Sequence, residues 1–204
     1  MTPILGITEN GIKKTQRDLR MLPKVVIYDP NLTLSLPVGF SATSAMNAIA
    51  HCVEALYAQD ANPVISLMAE EGIRALAQGL PLVVQRPNDL EARSQLLYGA
   101  WLAGASLGAV GMALHHKLCH TLGGSFNLPH AETHTVVLPH AAAYNTSAAP
   151  EAMARVARAL GGGNAAQGLY DLAKSAGTPL SLKEIGMPAD GLDRATQIAV
   201  QSPY

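Results

Sequence analysis

The chain contains little charge, few aromatic residues and only two cysteines. Charged residues make up 14% of its 204 residues and aromatic residues 4%, and the formal net charge is −1. Without a run of lysine or arginine, the chain lacks the electrostatic pattern of proteins that bind nucleic acid or an anionic membrane surface, so we expect a small-molecule ligand. Cys52 and Cys119 are too few for a disulfide framework and suit a reducing compartment. We interpret both as packing residues.

The sequence predicts neither a secretory signal nor a membrane-spanning helix. The opening MTPILGITENGIKK has no basic start followed by a long apolar run, so no secretory signal is predicted and we expect a cytoplasmic protein. Residues 96–114 carry no charge and reach the length of a membrane span. Their glycines and alanines give weak hydropathy, and a histidine pair follows directly. We therefore predict a buried helix there and no membrane partner.

The residues that are abundant favour a mainly α-helical fold. Hydrophobic residues make up 49% of the chain, and alanine is frequent while aromatics are rare, which favours closely packed helices over a β-sandwich. At the N-terminus, residues 4–8 and 12–15 around the Asn10-Gly11 turn predict a β-hairpin, and residues 24–28 predict a third strand. Three strands before a helical chain suggest the stump of a larger sheet.

Hydrophobic periodicity predicts helices over the remainder of the chain. The first begins with Thr43 or Ser44 as its N-cap and reaches about Tyr57. Further helical segments are predicted over residues 63–77, 89–110, 131–144, 151–160 and 165–175, with a pause at 79–81 and a kink or break at Pro139.

The first of these helices has two different faces. One is an apolar stripe, formed by Met46, Ile49, Val53 and Leu56. On nearly the opposite side, Asn47, His51 and Glu54 line up among small alanines. Such a polar stripe is ordinarily a solvent-exposed face. Because alanines allow another element to approach closely, it could equally be one wall of a cleft.

Residues 115–130, HHKLCHTLGGSFNLPH, bring several histidines together. His116 and His120 are four residues apart and therefore share one face of a helix that we predict to end at Gly123-Gly124. His130 returns after Pro129, so three imidazoles could converge on one pocket. Imidazole can bind a metal, relay a proton or hold an anion, and pairs at this spacing are also common on solvated helices. The spacing alone leaves these alternatives open.

Two segments together carry a resemblance to a known family. The run LPVGFSATSAMNAIAHCVEALYA, followed from residue 115 by HHKLCHTLGGSFNLPHAETHTVVLPH, resembles the iron-containing alcohol dehydrogenases, and within them the maleylacetate reductases. In that family an Asp and a His four residues apart bind iron or zinc with two later histidines. The resemblance places His51, His116 and His130 at metal positions and His120 at the position that approaches the nicotinamide. Asn47 stands where the family has its metal-binding Asp.

The amide at residue 47 bears on the expected chemistry. An amide is a poorer donor to a divalent cation than a carboxylate and leaves the site uncharged apart from the metal, so iron or zinc is not expected there, although the positions could hold one. The resemblance implies hydride transfer from NADH or NADPH to the carbon–carbon double bond of maleylacetate, giving 3-oxoadipate in aromatic-compound degradation. Imidazolium groups of His51, His116, His120 and His130 would bind this small dicarboxylate and supply the proton.

The resemblance also implies a domain organisation. Residues 36–204 would form the helical catalytic domain of a dehydroquinate synthase-like, iron-containing alcohol dehydrogenase fold, and residues 1–35 a remnant of the nucleotide-binding α/β domain, with Lys13 near the cofactor. No glycine-rich turn lies between a strand and a helix, so we expect a fragment, cut at both ends and inactive alone, of an enzyme that is a homodimer at full length.

Two alternatives remain open at this point. The first is a metal-dependent alcohol or polyol dehydrogenase in which Asn47 still coordinates Fe²⁺ or Zn²⁺, and bound metal would identify it. The second is an inactive helical interaction fragment that exposes an apolar surface, and failure to bind nucleotide would favour it.

Overall fold

A computed structural model of the chain describes residues 3–9 and 12–201. Its first element is an antiparallel hairpin of β1 (Ile4–Glu9) and β2 (Ile12–Arg17), in register from Ile4 opposite Arg17 to Glu9 opposite Ile12. The predicted hairpin is confirmed, while its Asn10-Gly11 turn lies outside the described residues. The Lys13 backbone lies in β2 opposite Thr8, but its side chain is outside the described part of the chain.

The predicted third strand is wrong. Residues 24–28 are irregular and lie between two short 3₁₀ helices, Leu19–Met21 and Pro30–Thr33. A strand is stable only when its backbone groups pair with a neighbour, and the described residues contain a sheet of β1 and β2 alone. Val25 and Ile27 accordingly remain largely exposed.

The rest of the described chain is helical, as expected from its composition. The elements are α1 (Val38–Ala55), α2 (Pro63–Gln85), α3 (Leu90–Ala109), α4 (Leu114–Phe126), α5 (His130–Asn145), α6 (Pro150–Ala159), α7 (Ala165–Ser175) and α8 (Gly191–Gln201). α7 has the predicted bounds, α6 differs by one residue at each end, and α3 begins after Asp89, whose side chain caps it.

Helix α1 begins earlier than predicted. It starts at Val38, so Thr43 and Ser44 lie inside the helix and neither is its N-cap. The hydroxyls of Ser41 and Thr43 donate to the carbonyls of Pro37 and Gly39, four residues before each, at 3.3 and 3.1 Å. The helix ends at Ala55, close to the predicted end.

The predicted pause at residues 79–81 does not occur, and Pro139 does not break its helix. α2 continues through residues 79–81 and α5 continues through Pro139. Proline removes one helical hydrogen bond, but Leu80 beside Pro81 and Leu138 beside Pro139 are fully buried. Tertiary packing of the flanking turns offsets the lost bond.

Helix α1 lies at the centre of the fold and packs against α2, α3 and α5. Its apolar stripe is buried as predicted, with Met46, Ile49 and Val53 almost inaccessible to solvent. Cys52 and Cys119 are free and buried, which confirms that they pack in the interior. Burial raises the pKa of the Cys52 thiol to about 12.

Helix α3 is only partly buried. Leu102, Ala103 and Ser106 face the interior, while Tyr98 and Trp101 remain partly exposed with ring centroids 6.0 Å apart. In the described part of the chain no single helix is long and apolar enough to cross a membrane. α3 and α4 are long and apolar enough only when taken together, and they meet at a bend of 96°.

The contact between α2 and α3 depends on glycine. A Cβ on Gly99 would lie 2.5 Å from Cγ of Leu76 and 3.2 Å from the carbonyl oxygen of Gly72, so the two helices approach closely at this point.

We expect Gly99→Ala to lower the free energy of unfolding by about 1–3 kcal/mol, because the new methyl group overpacks this contact. Gly124→Ala in α4 is the matched control, since a Cβ there would meet nothing within 4 Å. It should raise the free energy of unfolding by about 0.5–1 kcal/mol through helix propensity. Urea unfolding of both variants measures this, and equal effects would contradict the close-contact argument.

Candidate active site

Three helices bring the histidines together. α4 does not end at the glycine pair as predicted but runs through Gly123 and Gly124 to Phe126. It ends because Asn127 adopts the left-handed conformation, with φ of 52° and ψ of 38°. Only residues 127–129 separate α4 from α5, so the chain reverses at once and lays α5 against α4 and α1.

Six histidines then form one group, which we call the histidine cluster: His51 from α1, His115, His116 and His120 from α4, and His130 and His134 from α5. The rings of His51 and His116 stack at 4.9 Å with 24° between their planes. His134 lies in the middle, with its ring centroid 4.3 Å from that of His130 and 4.8 Å from those of His115 and His116. His120 is 6.0 Å from His116.

The structure thus brings together the four histidines singled out from the sequence and adds two more. His134 was missed although it follows His130 by four residues, the same spacing that pointed to His116 and His120. His115 gave no such signal, because a residue adjacent to His116 would ordinarily lie on another face of the helix. His140, also on α5, is outside the cluster and lines an apolar cavity of about 640 Å³ between α4, α5 and the segment 180–196.

Glu54 is the main polar contact beneath the cluster. Its side chain is fully buried, and its carboxylate accepts hydrogen bonds from the backbone N–H groups of Ala113 at 2.9 Å and His115 at 2.6 Å. Nδ1 of His116 lies 2.6 Å from Oε2, and the Tyr57 hydroxyl donates at 3.2 Å. The polar stripe of α1 is therefore a wall facing α4 and not a solvent face.

Glu54 also corrects the expected charge of the site. Burial is the largest single influence and raises the pKa of its carboxyl, but hydrogen bonds from His116 and Ala113 and the charge of His116 outweigh it and set the pKa at about 2. The expectation of a site without negative charge is therefore wrong, because an ionised carboxylate touches one of its histidines.

Several imidazoles of the cluster are neutral. Burial, followed by repulsion from neighbouring imidazoles, holds the pKa of His51 well below its usual value and lowers that of His115 to about 3. The same causes strongly lower the pKa of His134. The expected imidazolium group is therefore wrong for His51, which can bind an anion only as a neutral hydrogen-bond donor.

Three buried polar atoms of the described residues lack a hydrogen-bond partner: Oδ1 of Asn47 and Nε2 of His116 and of His134. Leaving such an atom unsatisfied costs about 1–3 kcal/mol, so their grouping on the elements that form the cluster indicates a place for a ligand. Imidazole nitrogens and an amide oxygen are chemically suitable ligands for iron or zinc, with the amide the weakest of the set. The residues present therefore fit a metal ion as well as the oxygens of a polar substrate.

The chain is similar to known proteins over most or all of its length. Residues 41–203 match the model of the Fe-containing alcohol dehydrogenase family, C-terminal. The maleylacetate reductases of Burkholderia cepacia and Sphingobium indicum are each 61% identical over all 204 residues, which make up 58% of either relative. The crystal structure of maleylacetate reductase from Rhizobium sp. strain MTP-10005 superimposes with a TM-score of 0.96 at 56% identity, covering 100% of this chain and 58% of that one.

Proposed function

Because the chain belongs to the Fe-containing alcohol dehydrogenase family, we propose that it forms the helical, substrate-reducing part of a maleylacetate reductase. The observation that carries the proposal is the histidine cluster with an amide, Asn47, beside it, at the position where the family resemblance expects a carboxylate. The 61% identity to enzymes of that name supports the same substrate. The chain spans 58% of the length of those relatives, so the activity belongs to a protein that contains these residues together with the remaining part.

In the proposed reaction NADH or NADPH supplies a hydride to the carbon–carbon double bond of maleylacetate. The residues of this chain bind and orient the small dicarboxylate substrate: His51 and His130 hold its carboxylates through N–H groups, and His116, held at Nδ1 by Glu54, stacks on His51 beside them. His120, at the exposed edge of the cluster, would lie beside the nicotinamide. A neutral N–H donor can bind a carboxylate oxygen without burying a second unpaired charge. One of these histidines delivers the proton that completes the reduction.

We further propose that the remaining expectations from the sequence hold for the longer enzyme. Residues 1–35 would belong to the nucleotide-binding domain, with Lys13 near the cofactor, and residues 36–204 to the catalytic domain of a cytoplasmic homodimer. None of the described residues forms a glycine-rich turn between a strand and a helix, so we assign no pyrophosphate contact within them.

The family is generally NAD(P)-dependent and holds a metal. In this chain Asn47, His51, His116 and His130 would hold it, and a metal there would polarise a substrate carbonyl as a Lewis acid. A metal-dependent alcohol dehydrogenase is therefore a second candidate function, and the contact of Glu54 with His116 favours it, because metal-bound histidines commonly have their second nitrogen held by a carboxylate.

A chimera tests the choice between these two functions. The 204 residues replace the matching segment of the Burkholderia cepacia maleylacetate reductase, and NADH and NADPH oxidation is followed with maleylacetate and with simple aldehydes, before and after chelation. We expect oxidation with maleylacetate that survives chelation. Turnover of aldehydes alone, abolished by chelation and restored by Fe²⁺ or Zn²⁺, would show the metal-dependent dehydrogenase instead.

A further inference from the structure

We propose that Tyr57 and Asn145 are positioning residues for the histidine cluster. Through a directed chain of hydrogen bonds they fix the Glu54 carboxylate, which in turn holds the imidazole of His116. Neither residue belongs to the cluster, and neither is assigned a role from the sequence. The inference rests on the proposed function only in placing His116 beside the substrate, because the chain of hydrogen bonds is present without any reaction.

The proton positions along this chain follow from the chemistry of its groups. Nδ2 of Asn145 lies 3.2 Å from the hydroxyl oxygen of Tyr57, and an amide nitrogen can only donate. The single hydroxyl proton of Tyr57 is therefore directed at Oε1 of Glu54, 3.2 Å away, where a carboxylate can only accept. Burial and the charge of Glu54 raise the pKa of Tyr57, so this proton stays on the hydroxyl. Each donor in the chain thus points towards Glu54.

The Tyr57 hydroxyl fixes the rotation of the Glu54 carboxylate. Oε1 accepts from Tyr57 and from the backbone N–H of His115 at 2.6 Å, while Oε2 accepts from the backbone N–H of Ala113 at 2.9 Å. Oε2 is also the atom that meets Nδ1 of His116 at 2.6 Å. Because α4 has no side-chain N-cap of its own, the same carboxylate holds the first turn of the helix that carries His116.

Asn145 is itself held in place at the other end of the chain. It is the last residue of α5, and its carbonyl accepts from the backbone N–H groups of Ala148 and Ala149 at 3.1 and 2.9 Å. Its side chain reaches Tyr57 just after α1, and Glu54 of α1 contacts α4. The chain of hydrogen bonds therefore joins all three helices that carry the histidine cluster.

Fixing Nδ1 of His116 as a donor determines what the other nitrogen of the ring offers. In the neutral ring Nε2 carries a lone pair, and this buried atom has no hydrogen-bond partner among the described residues. The ring also stacks on His51 with 24° between the planes. A carboxylate that rotated freely would release the ring orientation and the tautomer together. The chain instead keeps the lone pair of Nε2 available to a bound substrate.

Exchange of the His116 Nδ1 proton with water, followed by NMR of the 204-residue chain, tests the inference without substrate. Tyr57→Phe removes only the hydroxyl, and we expect this proton to exchange about tenfold faster, because its hydrogen bond to Glu54 opens more often. Asn145→Ala should act in the same direction with a smaller effect. Tyr170→Phe, which removes a half-buried hydroxyl from α7, is the matched control and should leave the rate unchanged.

A double-mutant cycle in the chimera described above tests the same inference through activity. Tyr57→Phe should lower kcat for maleylacetate by about tenfold and leave the KM for NADH unchanged. Because Tyr57 acts through Glu54, the substitution should have no further effect in a Glu54→Gln background, whereas a merely structural role gives additive losses. An inactive unsubstituted chimera would refute the proposed function, and the exchange measurement would then decide the positioning role by itself.

Two results would overturn the inference: an exchange rate in Tyr57→Phe equal to that in Tyr170→Phe, or additive losses of kcat in the cycle. The resonance of the Nδ1 proton is identified by its absence from the His116→Gln variant, and circular dichroism establishes that each variant keeps its helices. If Tyr57→Phe loses them, Asn145→Ala, which leaves the tyrosine in place, takes over the exchange measurement.

Discussion

Replacing Asn47 by aspartate is expected to raise the affinity of the site for Zn²⁺ by about one to three powers of ten. The substitution is nearly isosteric, so its main effect is one added negative charge among the cluster histidines. Even with strong screening, a charge at contact distance from a divalent ion contributes roughly 1–4 kcal/mol, which corresponds to this range of affinity. Glu54 is present in both proteins, and the comparison therefore isolates the charge at residue 47.

The same substitution should weaken maleylacetate reduction in the chimera. A carboxylate at residue 47 repels the two carboxylates of the proposed substrate, and a tightly held ion would occupy nitrogens that otherwise contact them. The expected result is a higher KM for maleylacetate with little change in the KM for NADH.

Competition between the chain and a chromophoric chelator measures the Zn²⁺ affinity. Asn164→Asp is the matched control: it makes the same change at the N-cap of α7, where the side chain accepts from the backbone N–H of Gln167 and aspartate can do likewise. Equal Zn²⁺ affinity of the two variants would show that residue 47 does not face the ion.

Replacing Arg93 by alanine is expected to lower the free energy of unfolding by about 2–5 kcal/mol, the largest stability effect that we predict. Arg93 is 2% exposed, and its guanidinium donates to the carbonyl of Pro87 at 2.8 Å, to the hydroxyl of Ser41 at 3.0 Å and to the carbonyl of Leu36 at 3.3 Å. It therefore joins α3 to the start of α1 and to the turn after α2. Hydrogen bonds from a charged group are worth about 1.5–3 kcal/mol each, and the substitution also removes a donor from the buried hydroxyl of Ser41.

Arg86→Ala provides the comparison for this prediction. Arg86 lies in the turn after α2, is largely exposed, and pairs with Asp89 at 3.0 Å. An exposed ion pair contributes about 0–1 kcal/mol, so this variant should be nearly as stable as the unsubstituted chain. Urea unfolding followed by circular dichroism measures both, and a loss below 1 kcal/mol for Arg93→Ala would contradict the anchoring role.

The sequence predicted most helices from their periodicity, and four of the six clustered histidines from helical spacing together with the family resemblance. His116 and His120 share a helix face by spacing alone, and the observed α7 follows the glycine run 161–163 with Asn164 as its N-cap. The predicted end of α4 was wrong because a helix can continue through a glycine pair. Here the helix ends one turn later, where the left-handed conformation of Asn127 reverses the chain. The strand at 24–28 failed because local propensity cannot supply a pairing partner.

The charge of the site could not be read from spacing. Glu54 belongs to the predicted polar stripe, but whether its carboxylate meets water or a histidine depends on how α4 packs against α1. Residues 54 and 116 are far apart in sequence, and only the tertiary fold makes them neighbours. His134 could have been predicted, because it follows His130 by four residues, the same spacing that indicated His116 and His120.

Trp101 on α3 is the single tryptophan of the chain, so all indole fluorescence originates at one place. Together with Tyr98, Tyr28 and Pro30 it lines a small surface pocket against the 3₁₀ segment that precedes α1. Emission from Trp101 therefore reports whether that segment is docked, whereas circular dichroism reports the helices. Coincident denaturation curves would mean that the segment and the helices unfold as one cooperative unit, and an earlier change in emission would mean that the segment detaches first.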